Sequence, residues 1–499
     1  MPPRGLPGNA NLEQLKNGAK SFQRAVRAGD PGAAEVVNEF HPRLAAARPG
    51  SPELAGFTRA DALLVVARRF DFSSWAKLKA HLELVERYSR SPHAQPIGQP
   101  IDDESVLADE FLRLGCLNYG EDDPARWERA RELLDADPWL AGASIYTAAA
   151  VGDVGAARGL LAGDPASAGR PGGPFAWEPL LYLTYSRIGG GPGRSAVEVA
   201  RLLLEHGADP NAGYLWEGLV PPFTALTGVF GSGGGGAPSH RDEAALARLL
   251  LEHGADPNDD QALFNRAGTR DDGWLELLFE FGLGRGDGGP WRRLLGDRQA
   301  SPREMVEDLL IRAAHGGFAD RVRLLLAHGV DPAGMGTRHP IHEGRAPIDE
   351  AVLLGYREVV ELLAEAGAQA RGDDVDRLIS ACMAGDRTET EALRAADPTV
   401  VDRAIARRPD QLALAAEKDS LDAVELLIEL GFDVNAGHWR APLHEAAMRG
   451  NLAMIRLLLE HGADPNLRDP GYDATPRGWA EHHGMTEAEA HLAPLTEER

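Results

Sequence analysis

Apolar residues recur at helical spacing along most of the chain, and run after run stops at a glycine. Residues 201–211 read RLLLEHGADPN, residues 248–258 read the same, and residues 456–466 repeat it once more. Looser copies stand at 323–332 (RLLLAHGVDP), 361–368 (ELLAEAGA) and 425–435 (ELLIELGFDVN). Each predicts an amphipathic helix that a positive-φ glycine terminates. Asp-Pro-Asn then turns the chain, because proline fixes φ and Asx side chains bond the nearby backbone. The glycines concerned are Gly207, Gly254, Gly282, Gly329, Gly367, Gly431 and Gly462, spaced by 47, 28, 47, 38, 64 and 31 residues. The 64 divides into two units of about 32, because residues 392–398 (ALRAADP) fall midway.

A second, shorter helix is predicted to open at Ala346-Pro347-Ile348-Asp349, Ala441-Pro442-Leu443-His444 and Thr475-Pro476-Arg477-Gly478. Proline is tolerated there because a first-turn amide has no partner within the helix. One such helix pair cannot bury its apolar face alone, so the pairs must stack. Residues 11–90 form a separate helical pattern, and residues 91–100 (SPHAQPIGQP) read as a Pro-rich linker, giving a jointed module ahead of the array.

These units resemble the ankyrin family over roughly residues 108–495, as about ten or eleven copies. The stretches LEQLKNGAKSFQRAVRAGD and FDFSSWAKLKAHLE are similar to the N-terminal helical module of actinobacterial multi-ankyrin proteins. The resemblance implies an all-α fold: a helical module over 9–90, a linker over 91–107 and an ankyrin-repeat solenoid over 108–499. Two insertions depart from the family pattern, at residues 188–194 (IGGGPGR) and 231–241 (GSGGGGAPSHR), and residues 284–301 form a third irregular stretch. Long loops of this kind more often carry function than structure.

Composition narrows the function classes. The net charge is −24, yet residues 1–90 hold 14 Lys+Arg against 9 Asp+Glu, leaving 38 against 67 for the rest. So acidic a body repels phosphate backbones and argues against nucleic acid. No apolar run reaches the length of a membrane span, so no membrane association is expected. Two cysteines, Cys116 and Cys382, cannot make a disulfide framework and point to a reducing cytoplasm, and no disulfide between them is expected. Lysine occurs only at Lys16, Lys20, Lys77, Lys79 and Lys418; this arginine bias, with abundant Ala, Gly and Pro, suggests a bacterial source. Lys418 is thus the one possible catalytic lysine of the repeat array.

Motif chemistry is sparse. The glycine loop at 189–195 lacks the first glycine and the lysine of a P-loop, and Ser195 with Glu198 reads better as a helix-capping box. His206, His253, His328 and His461 share one repeat register before the terminating glycine, where a helix end favours a cation. His339, His342 and Glu343 lie in a loop without a fourth ligand, so neither a metal nor another cofactor is expected.

The ankyrin register offers a sharper clue. In that family the residue after the Thr-Pro-Leu-His tetrad, and those three and four further on, face the concave groove. Polar and aromatic residues then gather in the middle repeats as Tyr182, Tyr185, Asn265, Arg266, Arg312, His315 and Glu350. Arg312, His315 and Glu350 on neighbouring units could hold a carboxylate, or, in an enzyme, perform acid–base chemistry. Trp216 and Trp291 in irregular turns, with Trp439, are further candidate anchors. The expected function is recognition of a protein partner through the concave groove and hairpin tips. The alternative is an enzyme or small-molecule sensor, with a pocket in the middle of the groove under the glycine-rich loops.

Overall fold

The computed structural model describes residues 11–98, 103–120, 122–231, 237–337, 344–437 and 439–497. It comprises two compact units, Met1–Pro302 and Arg303–Arg499. The expected all-α repeat architecture is present in both.

In the second unit short and long helices alternate. After the opening helices Pro302–Gly316 and Ala319–Ala327, the pairs are Pro347–Leu353 with Arg357–Glu365, Asp374–Met383 with Arg387–Ala396, Gln411–Glu417 with Leu421–Glu429, Pro442–Arg449 with Leu452–Glu460, and Pro476–His482 with Thr486–Leu492. One extra helix, Val400–Arg407, stands where the repeat is least regular. A single apolar core runs through the pairs, with Leu378, Leu412, Leu427, Leu443 and Leu458 at 0–1% exposure. The seven terminating glycines all take φ between 82° and 100°, as the helix-stop argument requires.

The Asn of the Asp-Pro-Asn turn does more than bend its own chain. Asn211 donates from Nδ2 to the Gly254 carbonyl at 2.9 Å, and its Oδ1 accepts from the Asp256 amide at 2.8 Å. Asn435 makes the same pair with Gly462 and Asp464, at 3.2 and 2.8 Å. Each Asn therefore clamps the next repeat's glycine turn, satisfying a helix-end carbonyl that would otherwise lack a partner. The register histidines serve the same ends: His206 and His253 place Nδ1 2.7 and 2.8 Å from the carbonyl four residues back. Ser195 accepts from the Glu198 amide at 3.2 Å, so half of the expected capping box is present.

The first unit opens with the helices Leu12–Arg27, Pro31–Phe40, Arg59–Arg69 and Trp75–Tyr88 around a core that includes Val26, Val37, Leu54, Phe57 and Leu78. The expected joint after this module is instead a docked segment. Ser89–Arg90 pairs in parallel with Gly213–Trp216, which pairs antiparallel with Phe223–Thr224. Leu84, Val85 and Tyr88 pack on Leu215, Trp291 and Leu295, and the Arg298 guanidinium lies 3.8 Å over the Phe72 ring. Proline at position 92 is buried rather than a free spacer. Apolar surface on the module's last helix finds cover on the array, which the Pro-rich composition alone could not reveal.

The inserted loops are also anchored in their described parts. Arg241 donates from Nη1 to the Gly189 carbonyl at 2.6 Å, while Arg187 reaches the Pro238 and Gly228 carbonyls, both at 2.8 Å. Burial pulls the Arg187 guanidinium down to about 10. Beside it, His240 is 4% exposed and accepts from the Asp242 amide at 3.0 Å. Burial, with Arg187 and Arg241 nearby, pulls the His240 imidazole down to about 3; His81, half-buried near Arg298, is drawn down to about 4. An unfolded histidine binds its proton near pH 6.5, whereas the folded His240 stays neutral until far lower. Stability of this unit should therefore fall as pH drops from about 6.5 toward 3, at up to ~1.4 kcal/mol per pH unit for His240. Urea midpoints measured across that range should show a shallower slope for His240→Asn than for wild type.

Cys116 and Cys382 are both free and buried, each in a different unit. Residues 232–236, His438, His339, His342 and Glu343 lie outside the described residues.

Candidate functional site

The nine nominated residues separate between the two units. Tyr182, Tyr185, Trp216, Asn265, Arg266 and Trp291 belong to the first, and Arg312, His315 and Glu350 to the second.

In the first unit the expected groove positions are filled from within. Tyr182 and Tyr185 are 0% exposed, a correction to their expected place on an open face. Trp177 sits among them, with ring centroids 5.4, 5.0 and 5.1 Å from those of Tyr182, Tyr185 and Tyr214. Tyr182 donates to the Gly172 carbonyl at 2.9 Å and Tyr185 to the Thr224 carbonyl at 3.0 Å, so both hydroxyls are satisfied. Burial pushes both phenols well above their ordinary range. Tyrosine rings carry so much apolar area that the chain folds back to cover them itself. Asn265 is half-buried and donates to the Tyr119 hydroxyl at 3.4 Å. Arg266, also expected in the groove, is 6% exposed, bonded to Asp271 at 2.6 Å and to Glu243 at 3.4 Å.

The two tryptophans nominated as partner anchors fasten the N-terminal module. Trp216 stacks on His93 with centroids 4.4 Å apart. Trp291 is 8% exposed, meets Tyr88 edge-on at 5.1 Å, and donates from Nε1 to the Asn211 carbonyl at 3.0 Å.

The second unit builds a different surface. Glu350, in the first turn of the helix Pro347–Leu353, has a fully buried side chain. Its Oε1 accepts from Arg345 Nε at 2.9 Å, and its Oε2 lies 3.0 Å from His315 Nδ1. Arg345 comes from the turn just before the helix, and His315 from the end of the helix Pro302–Gly316. Both placements suit the helix dipoles: carboxylate at an N-terminus, imidazole at a C-terminus. A carboxylate only accepts, so Nδ1 carries a proton, and in the neutral imidazole Nε2 is the acceptor. Lys418 Nζ stands 3.3 Å from that Nε2. Burial lowers the Lys418 ammonium below its ordinary range, against an opposing pull from Glu417 at 3.8 Å. Arg312, half-buried, stands one turn before His315 on the same helix.

The glutamate arrangement occurs twice. Residues 345–350 (RAPIDE) and 440–445 (RAPLHE) share one pattern. Glu445 is 4% exposed and accepts from Arg440 Nε at 2.5 Å and from Arg449 Nη1 at 2.7 Å. His444, expected to hydrogen-bond within the turn, accepts from the Ala441 amide at 3.2 Å and reaches the Leu467 carbonyl at 3.0 Å. Beyond this second glutamate lies an aromatic surface. Arg440 stands 4.9 Å over the Trp479 ring, Tyr472 meets that ring edge-on at 5.5 Å, and His483 stacks on it at 5.7 Å. Trp439 and Tyr472 are 66% and 78% exposed.

Arg345, Arg440 and Tyr472 were not among the nominated residues. The recurring R-A-P-x-x-E spelling was the available signal for the two arginines, and Tyr472 carried none, since a lone tyrosine in a Gly/Asp-rich turn reads as ordinary loop.

No group of three or more potential metal ligands converges among the described residues. No described helix is long and apolar enough to cross a membrane.

The family described as "Ankyrin repeats (3 copies)" matches residues 378–469. The putative ankyrin repeat protein YahD of Escherichia coli is 32% identical over 201 residues, covering 38% of this chain and 94% of YahD. The ankyrin repeat and KH domain-containing protein mask-1 of Caenorhabditis elegans is 34% identical over 161 residues, 30% of this chain. Putative ankyrin repeat protein FPV244 of fowlpox virus is 47% identical over 53 residues, 10% of this chain. The chain spans only 6% of mask-1 and 8% of FPV244.

Proposed function

Because this chain belongs to the ankyrin-repeat family, we propose that it recognises a protein partner through the Arg303–Arg499 unit. The observation that carries the reading is the pair of exposed aromatics, Trp439 and Tyr472, beside Arg440 and Trp479. Large rings left in water next to fixed charge are typical of interface anchors, because docking dehydrates them at little cost in side-chain entropy. The buried Glu445 holds Arg440 in place, so the cation–π pair is set before a partner arrives. The partly exposed His315 and Arg345, both held by the buried Glu350, extend the polar part of the recognition surface, with Arg312 suited to a partner carboxylate. The arginine-rich, alanine-rich composition and the two free, buried cysteines support a bacterial cytoplasm as the setting.

A pocket under the glycine-rich loops has less support. The nearby groove positions are occupied by Tyr182 and Tyr185, with Trp177 and Tyr214 packed against them.

The test is capture of the partner with the wild-type protein, followed by titration of Trp439→Ala and Tyr472→Ala. Each substitution should cost at least about 2 kcal/mol of binding, the scale of an interface hot spot, and leave the unfolding transition unmoved. Unchanged affinity in the double variant would show that recognition lies elsewhere.

A further inference from the structure

We propose that Lys418 is a reactive amine that condenses with carbonyl compounds of the aldehyde class, with His315 as its proton acceptor. This goes beyond partner recognition and does not depend on it.

The case begins with the relay. Glu350 accepts from His315 Nδ1 at 3.0 Å and is itself held by Arg345 at 2.9 Å, so the imidazole is oriented and its tautomer set. Nε2 then faces Lys418 Nζ at 3.3 Å. Lys418 meets the acceptor nitrogen of a base at 3.3 Å as well as the Glu417 carboxylate at 3.8 Å. Its side chain is 18% exposed and that of His315 is 35% exposed, so the amine is dehydrated yet reachable by a small molecule.

The charges around it come from several helices. Glu417 adjoins it at 3.8 Å, Glu350 lies on the far side of His315, and Arg449 adds a positive field from the helix Pro442–Arg449. Burial of the ammonium outweighs the two carboxylates, and the neutral amine is favoured relative to an ordinary lysine. A lower pKa raises the fraction of amine that is neutral, and so nucleophilic, at pH 7.

The chemistry needs no other reagent. The Nζ lone pair attacks the carbonyl carbon, a C–N bond forms, and the π pair moves to oxygen. His315 Nε2 takes one proton from Nζ and passes it to the alkoxide, giving the carbinolamine, and then relays the second Nζ proton to the carbinolamine hydroxyl. That hydroxyl leaves as water as C=N forms.

The chain contains its own controls, since Lys20 and Lys77 are exposed and Lys16 and Lys79 sit in surface ion pairs with Glu13 and Glu83. The folded full chain would be treated with propionaldehyde and cyanoborohydride at pH 7, and alkylation at each lysine followed by peptide mass spectrometry. Lys418 should be alkylated faster than Lys20 or Lys77 despite its lower exposure. In His315→Gln, with folding verified by its unfolding transition, the Lys418 rate should fall to or below that of the exposed lysines, whose own rates stay unchanged. Labelling of Lys418 in wild type no faster than Lys20 overturns the proposal. Fast labelling that survives His315→Gln overturns the role assigned to His315.

Discussion

Replacing Glu350 with Ala should destabilise the Arg303–Arg499 unit by about 3 kcal/mol, toward the low end of the cost of breaking a buried ion pair. The carboxylate is fully buried and accepts from the Arg345 guanidinium and the His315 imidazole at once, so its loss strands both donors. The low end applies because those side chains keep 20% and 35% of their surface in water and can partly rehydrate. An array of repeats need not unfold in one step, so the quantity to measure is amide exchange within the helices Pro347–Leu353 and Asp374–Met383 rather than one global midpoint. A triple replacement, Glu350→Leu with Arg345→Met and His315→Leu, should recover most of the loss, since a matched apolar set leaves no charge stranded. If the single variant exchanges like wild type, the pair is not the organising contact of this face.

Trp177→Ala should cost the first unit about 3–5 kcal/mol, the range for deleting a large buried aromatic. The upper part of the range is expected, because the indole is 1% exposed and packs against Phe175, Tyr182, Tyr185 and Tyr214. Neighbouring rings are rigid and cannot collapse into the space left behind. Near-UV circular dichroism should lose intensity with the same midpoint shift in urea. Trp177→Phe should retain most of the stability, keeping one ring in the stack. A cost below about 1 kcal/mol for Trp177→Ala would mean that the cluster is plastic.

The repeat unit was legible because its physics is local. A glycine stops each leucine-rich helix, proline opens the short one, and Asp-Pro-Asn turns the chain, all within about a dozen residues. The pairing of His315 with Glu350 was legible too, since it follows from one repeat stacked on the next. The tyrosines misled the same register argument. Tyr182 and Tyr185 occupy groove positions by spacing, but spacing does not say whether other rings close over them, and Trp177 and Tyr214 do. Trp216 and Trp291 looked like free anchors because the module that covers them lies more than a hundred residues earlier in the chain.

By itself, then, the sequence determined the helix pair, its stops and turns, the stacking of pairs into an all-α array, and the absence of a disulfide framework. Only the tertiary structure decided that the N-terminal segment docks, that Asn211 and Asn435 clamp the following repeats, and that Lys418 meets His315 across 103 residues of chain. The reason is range. Backbone conformation answers to neighbours a few residues away. Whether a polar or aromatic side chain ends in water or in a core depends on which distant residues the fold brings against it.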